Sequence, residues 1–459
     1  MIDLKSASCF FIASIIIILG LKSIKHVFIK LAKTTLKLLN VLLSTHISDD
    51  TKQAQLIQLV KSLLGSLFIC VSTIFFIVLL SCSPFYFVGI SIDKINLIGS
   101  EALLSNLIIF TLYKSVNFFK KTGTTYNDWT KLLHHLILDN YNIERFLFNR
   151  EKNKYIKYPI KKNPYLIVTG FARSGTTALT ELLYSSKNFS TLYYRNMPFL
   201  LSVRTWLKVY NPNKDDIEER AHKDGISIGL TSIEALEEHF FKVQLNDSYI
   251  NNDSLLLHNI TPEILKNYEA YRFLIQQKPD KTYLAKNNNL ILRLNSFLEQ
   301  DEQLNVVLLF RDPLQHAASI LKQHKSFKKQ QKEDAFITTY MNWLGHHEFG
   351  EGHLPFNLGK SENVFDQDSI NYHLQNWINY YEFTLQFKAK NKVLFLAFED
   401  LNQNPEQLLS PISQLINIDL SECEISINKQ SKHVVKVDEC DPSLLNIAYQ
   451  IHSKLKTED

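Results

Sequence analysis

Leu63 to Ile92 runs for 30 positions without a charged residue. A helix needs roughly 20 apolar residues to cross a bilayer core, so this stretch reads as a transmembrane helix. Ala7 to Leu21 is apolar over 15 residues, a signal-peptide length. Leu19-Gly20-Leu21 ahead of Lys22 offers no small-x-small cleavage site, however, and the stretch reads as an uncleaved anchor. A third apolar stretch, Asn96 to Tyr113, carries Glu101 near one end and fits either a short span or a helix at the interface. Between the first two, Lys22, Lys25, Lys30, Lys33 and Lys37 recur every three to five residues, opposite Ile24, Phe28, Leu31 and Leu38. That is the pattern of a helix lying beside anionic lipid. The positive-inside rule puts this loop in the cytoplasm. Three spans then place everything after Lys114 in the cytoplasm and two place it outside; Lys114, Lys120 and Lys121 favour three.

From Thr122 the pattern becomes that of a soluble domain. Asp128 to Phe148 repeats its apolar residues with helical period, and the lysine-rich Glu151 to Asn163, with Pro159, reads as a linker. Four short apolar runs follow, separated by longer helical patterns: Tyr165 to Thr169, Thr282 to Ala285, Val306 to Phe310 and Val393 to Phe398. Such alternation predicts an α/β fold with a mostly parallel central sheet covered on both faces. Ligands of these sheets bind at the carboxyl ends of the strands. There the chain places the 170–177 loop, Lys286 with Asn287, Arg311 with Asp312, and Glu399 with Asp400.

Composition narrows the partners. At 459 residues, 45% of them hydrophobic, the chain has material for more than one region. A formal charge of +4 is small for this length and gives no basis for a nucleic-acid partner. Cys9, Cys70 and Cys82 lie in apolar runs, while Cys423 and Cys440 stand apart near the end. This is neither a disulfide framework nor a zinc ligand set.

The candidate chemistry begins in "VTGFARSGTTALTELLY", Val168 to Tyr184. Gly170 and Gly175 have the spacing of a GxxxxGK(S/T) phosphate loop, but Thr176 stands where the lysine belongs. Backbone amides entering the following helix would cradle an anion, with Thr176 and Thr177 adding hydroxyls and Arg173 the charge. A second element, "VVLLFRDPLQHAASILKQH", ends a strand at Arg311 and carries Ser319 on the next helix, so that the two can grip one phosphate.

On these two motifs the sequence resembles the sulfotransferases that use 3'-phosphoadenosine 5'-phosphosulfate. "ARSGTT" is similar to the arginine version of their 5'-phosphosulfate loop and "RDPLQHAAS" to their 3'-phosphate element, and "FEDL" at 398–401 is similar to a stretch after a late strand. The likeness runs from about Pro164 to Leu409. "YYRNMPF", "ERAHKDG", "YLAKNNN" and "MNWLGHHEFG" look most like a group of bacterial sulfotransferases. The resemblance implies a P-loop-like three-layer fold, with Ser174, Gly175, Thr176 and Thr177 on the 5'-phosphate and Arg311 and Ser319 on the 3'-phosphate. Arg173 would bind the donor and stabilise the leaving oxygen, and Lys286 would be a second cation for the transferring group. No metal is expected, because a sulfuryl group carries less charge than a phosphoryl group. The expected organisation is a membrane-anchoring region over 1–121 with two or three transmembrane helices, a helical linker over 122–163 and a sulfotransferase domain over 164–459. The expected acceptor is a hydroxyl of a carbohydrate or of a membrane-linked glycan or lipid. In a bacterial cell, where the donor is made in the cytoplasm, the catalytic domain faces inward.

A base for the acceptor hydroxyl is still required. Many family members carry a glutamate about two dozen residues after the loop, where this chain has Tyr193-Tyr194-Arg195-Asn196. His222, which Asp224 would orient, is the favoured candidate; Glu237, Glu238 and His239 are the others. "GHHEFGEGH", Gly345 to His353, is read as a substrate-facing loop and not as a metal site, since Gly350 and Gly352 break the helix that an HExxH pair needs. Two other functions stay open at this stage: an ATP-dependent kinase with a degenerate loop, and a catalytically idle membrane scaffold on a nucleotide-binding fold.

Overall fold

The computed structural model describes residues 4–43, 48–88, 128–210, 217–219, 227–229, 235–276, 278, 280–360, 363–424 and 439–457. His222 and the third apolar stretch, 96–113, lie outside the described residues. The chain divides into two compact units, Met1–Ile143 and Glu144–Asp459.

The first unit is built on two long helices, Leu4–Leu43 and Asp49–Phe87. The lysine-bearing stretch is not a separate interfacial helix. It continues the first apolar stretch in one helix of 40 residues; between Ala7 and Leu38 there is no proline and only one glycine, Gly20, to break the helix. The two helices run antiparallel: Phe10 meets Phe85, while Gly20, further along, lies against Ile77. A Cβ on Gly20 would stand 2.5 Å from an Ile77 methylene, so the close approach requires glycine there. One helix among the described residues, Thr51–Phe87, is long and apolar enough to cross a membrane by length and composition, and it leaves large apolar side chains such as Phe68, Phe75 and Phe76 exposed.

The second unit is an α/β fold. Its sheet contains β1 (Tyr165–Gly170), β2 (Phe189–Ser190), β6 (Thr282–Lys286), β7 (Leu304–Phe310) and β9 (Val393–Ala397), in the order β2-β6-β1-β7-β9. Every pairing in it is parallel. Away from it lie an antiparallel pair, β3 (Ile217–Glu219) with β4 (Ser227–Gly229), and a short parallel pair, β5 (Leu255–Leu256) with β8 (Phe356–Asn357). Successive strand residues face opposite sides. Leu166 and Val168 of β1 therefore join one core with Leu179, Leu183, Ile412 and Ile416 of helices Thr176–Ser185 and Pro405–Ile416. Tyr165 turns the other way, onto Tyr268 of helix Pro262–Ile275. The four strands read from the apolar runs are all present; β2, two residues long at the sheet edge, gives no comparable signal.

Two local expectations change. Asp128 to Phe148 is two helices, Asp128–Leu138 and Tyr141–Tyr155, broken at Asn140. The stretch read as a linker from Glu151 begins as helix, and Glu151 is buried, its carboxylate accepting the amides of Arg204 at 2.8 Å and Thr205 at 3.0 Å. It thus satisfies free amides at the start of helix Val203–Val209.

Connections from β1 lead toward β2 and β6, whereas those from β7 lead the other way to β9. The carboxyl ends of β1 and β7 therefore flank the switch point of the sheet, where open α/β sheets bind ligands.

Candidate active site

The loop leaving β1 fills this crevice. Gly170 has φ +154°, and a Cβ there would stand 2.5 Å from Ser174 Oγ and 2.6 Å from the Leu309 carbonyl oxygen on β7. Gly175 has φ +99° and abuts the Phe398 ring, with a built Cβ 2.3 Å from Cδ2. Only glycine fits either position. Arg173, though not glycine, holds the left-handed φ of +74°, a backbone state that surrounding structure must enforce. His316 contributes to that enforcement. It accepts from the Trp377 indole at Nδ1 (3.1 Å) and donates from Nε2 to the Ala172 carbonyl (2.8 Å). Burial pushes its pKa down to about 3, so the ring stays neutral with a single tautomer.

Helix Thr176–Ser185 starts directly at this loop. No side chain caps it, which leaves first-turn amides and the positive end of the helix dipole directed at the crevice. The cation missing from position 176 arrives from elsewhere. Lys286, at the end of β6 and 8% exposed, donates to Thr177 Oγ1 at 2.7 Å. Arg173 Nε lies 3.5 Å from Ser319 Oγ on helix Pro313–Glu333, which joins the two motifs across the crevice. Arg311 is buried with its guanidinium carbon 4.7 Å from the Phe398 ring centre. Burial lowers its pKa, Glu399 opposes the shift and the like charge of Arg173 adds to it. Three cations thus converge where amides and hydroxyls also point, which is an anion site by its chemistry. The Ser174 hydroxyl is buried beside Tyr381 without closing a hydrogen bond of normal geometry.

Glu237, Glu238 and His239, the other candidates for the base, do not join this group. The Glu238 carboxylate is clamped by Arg293, Nη1 to Oε2 at 2.8 Å and Nη2 to Oε1 at 2.6 Å, and also accepts the Tyr249 hydroxyl. Burial opposes its charge, but the Arg293 charge and hydrogen bonds with the Tyr249 hydroxyl prevail and hold its pKa below the ordinary carboxylate value. Both oxygens are occupied inside the core. Glu237 accepts from Tyr268, from Tyr283 at 2.8 Å and from Asn287 Nδ2 at 3.0 Å, so it anchors the turn that follows Lys286. Burial raises its pKa. His239 is locked between the Trp343 carbonyl and Glu144, each at 2.7 Å.

Two site residues escaped the sequence reading. Phe398, read as the end of the last apolar run and as part of "FEDL", instead begins the helix Phe398–Gln403 and packs on both Gly175 and Arg311. Asn288 accepts the Thr176 hydroxyl at 3.4 Å and donates to Glu348 at 3.4 Å; its place in "YLAKNNN", just beyond a strand end, was the available signal. Among the described residues no cluster of three or more histidines, cysteines or carboxylates has the arrangement of a metal site.

The sulfotransferase domain profile matches residues 163–443. No curated protein sequence matches the chain. Among solved structures, the sulfotransferase STF1 of Mycobacterium tuberculosis is similar at 13% identity and a TM-score of 0.40, over 71% of this chain and 90% of that one. The sulfotransferase STF9 of Mycobacterium avium is similar at 13% identity and a TM-score of 0.45, over 73% and 88%. The sulfotransferase domain of the curacin biosynthetic pathway is similar at 15% identity and a TM-score of 0.32, over 65% and 99%. The profile spans well over half of the chain and takes in all five strands of the central sheet and each of the converging cations; the chain belongs to the sulfotransferase family.

Proposed function

We propose that the chain transfers a sulfuryl group from 3'-phosphoadenosine 5'-phosphosulfate to a hydroxyl of a carbohydrate, glycan or lipid acceptor at a membrane. The convergence of Arg173, Lys286 and Arg311 around a glycine loop at the sheet's switch point carries this reading. In this reading the amides of Gly175 to Thr177, with the Ser174, Thr176 and Thr177 side chains, hold the 5'-phosphate at the helix start; the Ser174 amide itself closes the loop onto the Phe171 carbonyl at 3.0 Å. Arg311 and Ser319 hold the 3'-phosphate. Arg173 and Lys286 stabilise the charge that gathers on the bridging oxygen as the sulfur–oxygen bond breaks, an electrostatic contribution that needs no metal. A kinase would also need a magnesium site beside the β- and γ-phosphates, and position 176 carries a threonine where that loop type carries lysine.

The membrane part of the proposal rests on the antiparallel hairpin of the first unit, whose second helix has the length and the exposed apolar surface of a span. The lysine distribution, with the lysine-rich end of the hairpin inside and Lys114, Lys120 and Lys121 further on, favours a cytoplasmic catalytic unit in a bacterial cell; the stretch 96–113, on which the number of spans turns, lies outside the described residues. One preparation tests both parts. Full-length chain in membranes washed with alkaline carbonate should stay in the pellet. After detergent extraction it should be stabilised against heat by adenosine 3',5'-bisphosphate and not by ATP with magnesium. Release by carbonate would remove the anchor, and stabilisation by ATP alone would replace the sulfuryl donor by a nucleoside triphosphate.

A further inference from the structure

The residues placed so far leave one step without an agent, the removal of the acceptor's proton. Most carboxylates near the crevice are committed elsewhere. Glu237 is held by three donors and Glu238 by Arg293. Glu399 accepts the Asp312 amide at 2.9 Å and stands beside Arg311, on the 3'-phosphate side. Glu348 is placed differently.

Glu348 lies in the segment that follows helix Ala335–Leu344, which Gly345 ends with φ +70°. The Gly345 carbonyl accepts from Asn289 Nδ2 at 2.9 Å, which ties this segment to the turn after β6. From there the Glu348 carboxylate accepts from Asn288 Nδ2 at 3.4 Å, and Asn288 Oδ1 accepts the Thr176 hydroxyl at 3.4 Å. A single amide side chain therefore stands between this carboxylate and the anion-binding loop. Glu348 also lines a cavity of about 20 Å³, whose wall includes Phe171 and Ala172 of that loop, and among the described residues it is the only carboxylate in the lining. Such a volume admits one water or one hydroxyl group. The side chain is half-buried, so a proton taken up there can pass on to solvent.

We propose that Glu348 is the general base of the reaction, a proposal that rests on the donor reading above. As the acceptor oxygen bonds to sulfur, its proton moves to a Glu348 oxygen. The bond from sulfur to the 5'-phosphate oxygen breaks, and its electron pair stays on the phosphate, leaving adenosine 3',5'-bisphosphate. His347 and His353 of the same segment line the same cavity. His353 donates Nδ1–H to the His347 carbonyl and meets the Tyr372 hydroxyl at Nε2. His347 donates Nδ1–H to the Gly352 carbonyl at 3.2 Å and buries its other nitrogen without a partner.

Glu348→Gln is the decisive variant, because its amide oxygen can still accept from Asn288 while its basicity is gone. Full-length wild type and variant are given sulfur-labelled 3'-phosphoadenosine 5'-phosphosulfate with water and a panel of hydroxyl acceptors. Bisphosphate release is timed, and stabilisation by added bisphosphate is measured separately. The expected result is at least about a hundredfold slower release, the lower end of general-base contributions, with unchanged stabilisation. Glu351→Gln, an exposed change in the same segment, should behave as wild type. Release within a few-fold of wild type in Glu348→Gln overturns the proposal. So does a loss of bisphosphate stabilisation in that variant, which would make Glu348 a support of the loop, or a hundredfold loss in His347→Asn or His222→Ala with Glu348→Gln active. A wild-type chain that neither binds the bisphosphate nor releases it refutes the donor reading itself and the base with it.

Discussion

Burial lowers the Arg311 pKa and the like charge of nearby Arg173 adds to the shift, yet the two arginines sit in different settings. Arg173 sits in the loop in a left-handed backbone state, half-buried, and reaches across to Ser319. Arg311 is buried against Phe398 at the end of β7. Arg173→Ala should therefore reduce turnover far more than donor binding, since its interaction strengthens as charge develops. Equal losses in both would make it a binding residue. Arg311→Ala should weaken binding of the bisphosphate by about 1.5 to 3 kcal/mol, the range for a hydrogen bond to a charged group, and leave binding of adenosine 5'-phosphate nearly unchanged. A variant that keeps the wild-type preference between these two ligands would refute the 3'-phosphate assignment. Both arginines were legible in the sequence because each belongs to a short motif with fixed spacing. The engagement of Glu237 and Glu238 was not, because their partners Tyr283, Asn287 and Arg293 lie 46, 50 and 55 residues away and no local pattern brings them together.

At the scale of elements, the site depends on a contact between the first loop and the helix that follows the last strand. Gly175 meets the Phe398 ring where any Cβ would. Gly175→Ala must place alanine at φ +99° and also displace the ring, so it combines left-handed strain of about 1 kcal/mol with overpacking of about 1 to 3 kcal/mol. It should lower both the melting temperature and bisphosphate affinity. Adding Phe398→Ala should recover part of the affinity by making room, while the backbone strain remains. Full additivity of the two losses would show that the ring and the loop are not coupled. The strands themselves were readable because strands buried on both faces appear as unbroken apolar runs. Helix limits were not. Lysines did not end Leu4–Leu43, and helix Tyr141–Tyr155 runs past Glu151, whose carboxylate accepts amides some 50 residues further on.

For the molecule as a whole, the catalytic unit keeps several histidines neutral by burying them. Burial pushes His316 and His373 down to about 3 and His258 and His353 down to about 4. All four fold with a pKa below the ordinary 6.5, so below that pH the unfolded chain binds more protons than the folded one. Stability is then unaffected by these groups above pH 6.5 and falls progressively as the pH drops from 6.5 toward 3 to 4. Each contributes at most about 1.4 kcal/mol per pH unit. Glu144 and Glu237, whose pKa values burial raises, act with the opposite sign. They take up protons in the folded state as the pH falls, which works against the loss. Against a total stability of about 5 to 15 kcal/mol, the direction of the histidine contribution is toward lower stability in acid. Full-length chain in detergent should show a nearly constant melting temperature from pH 8 to pH 7 and a steep fall below pH 6.5. His373 offers the test of cause. It is 1% exposed and packed against the rings of His324, His353 and Tyr372, with Asp368 as the acidic group acting on it. His373→Phe keeps the ring and removes the titration, so its melting temperature should fall less between pH 6.5 and pH 5 than that of wild type. An equal fall in the two proteins would mean that acid acts through other groups.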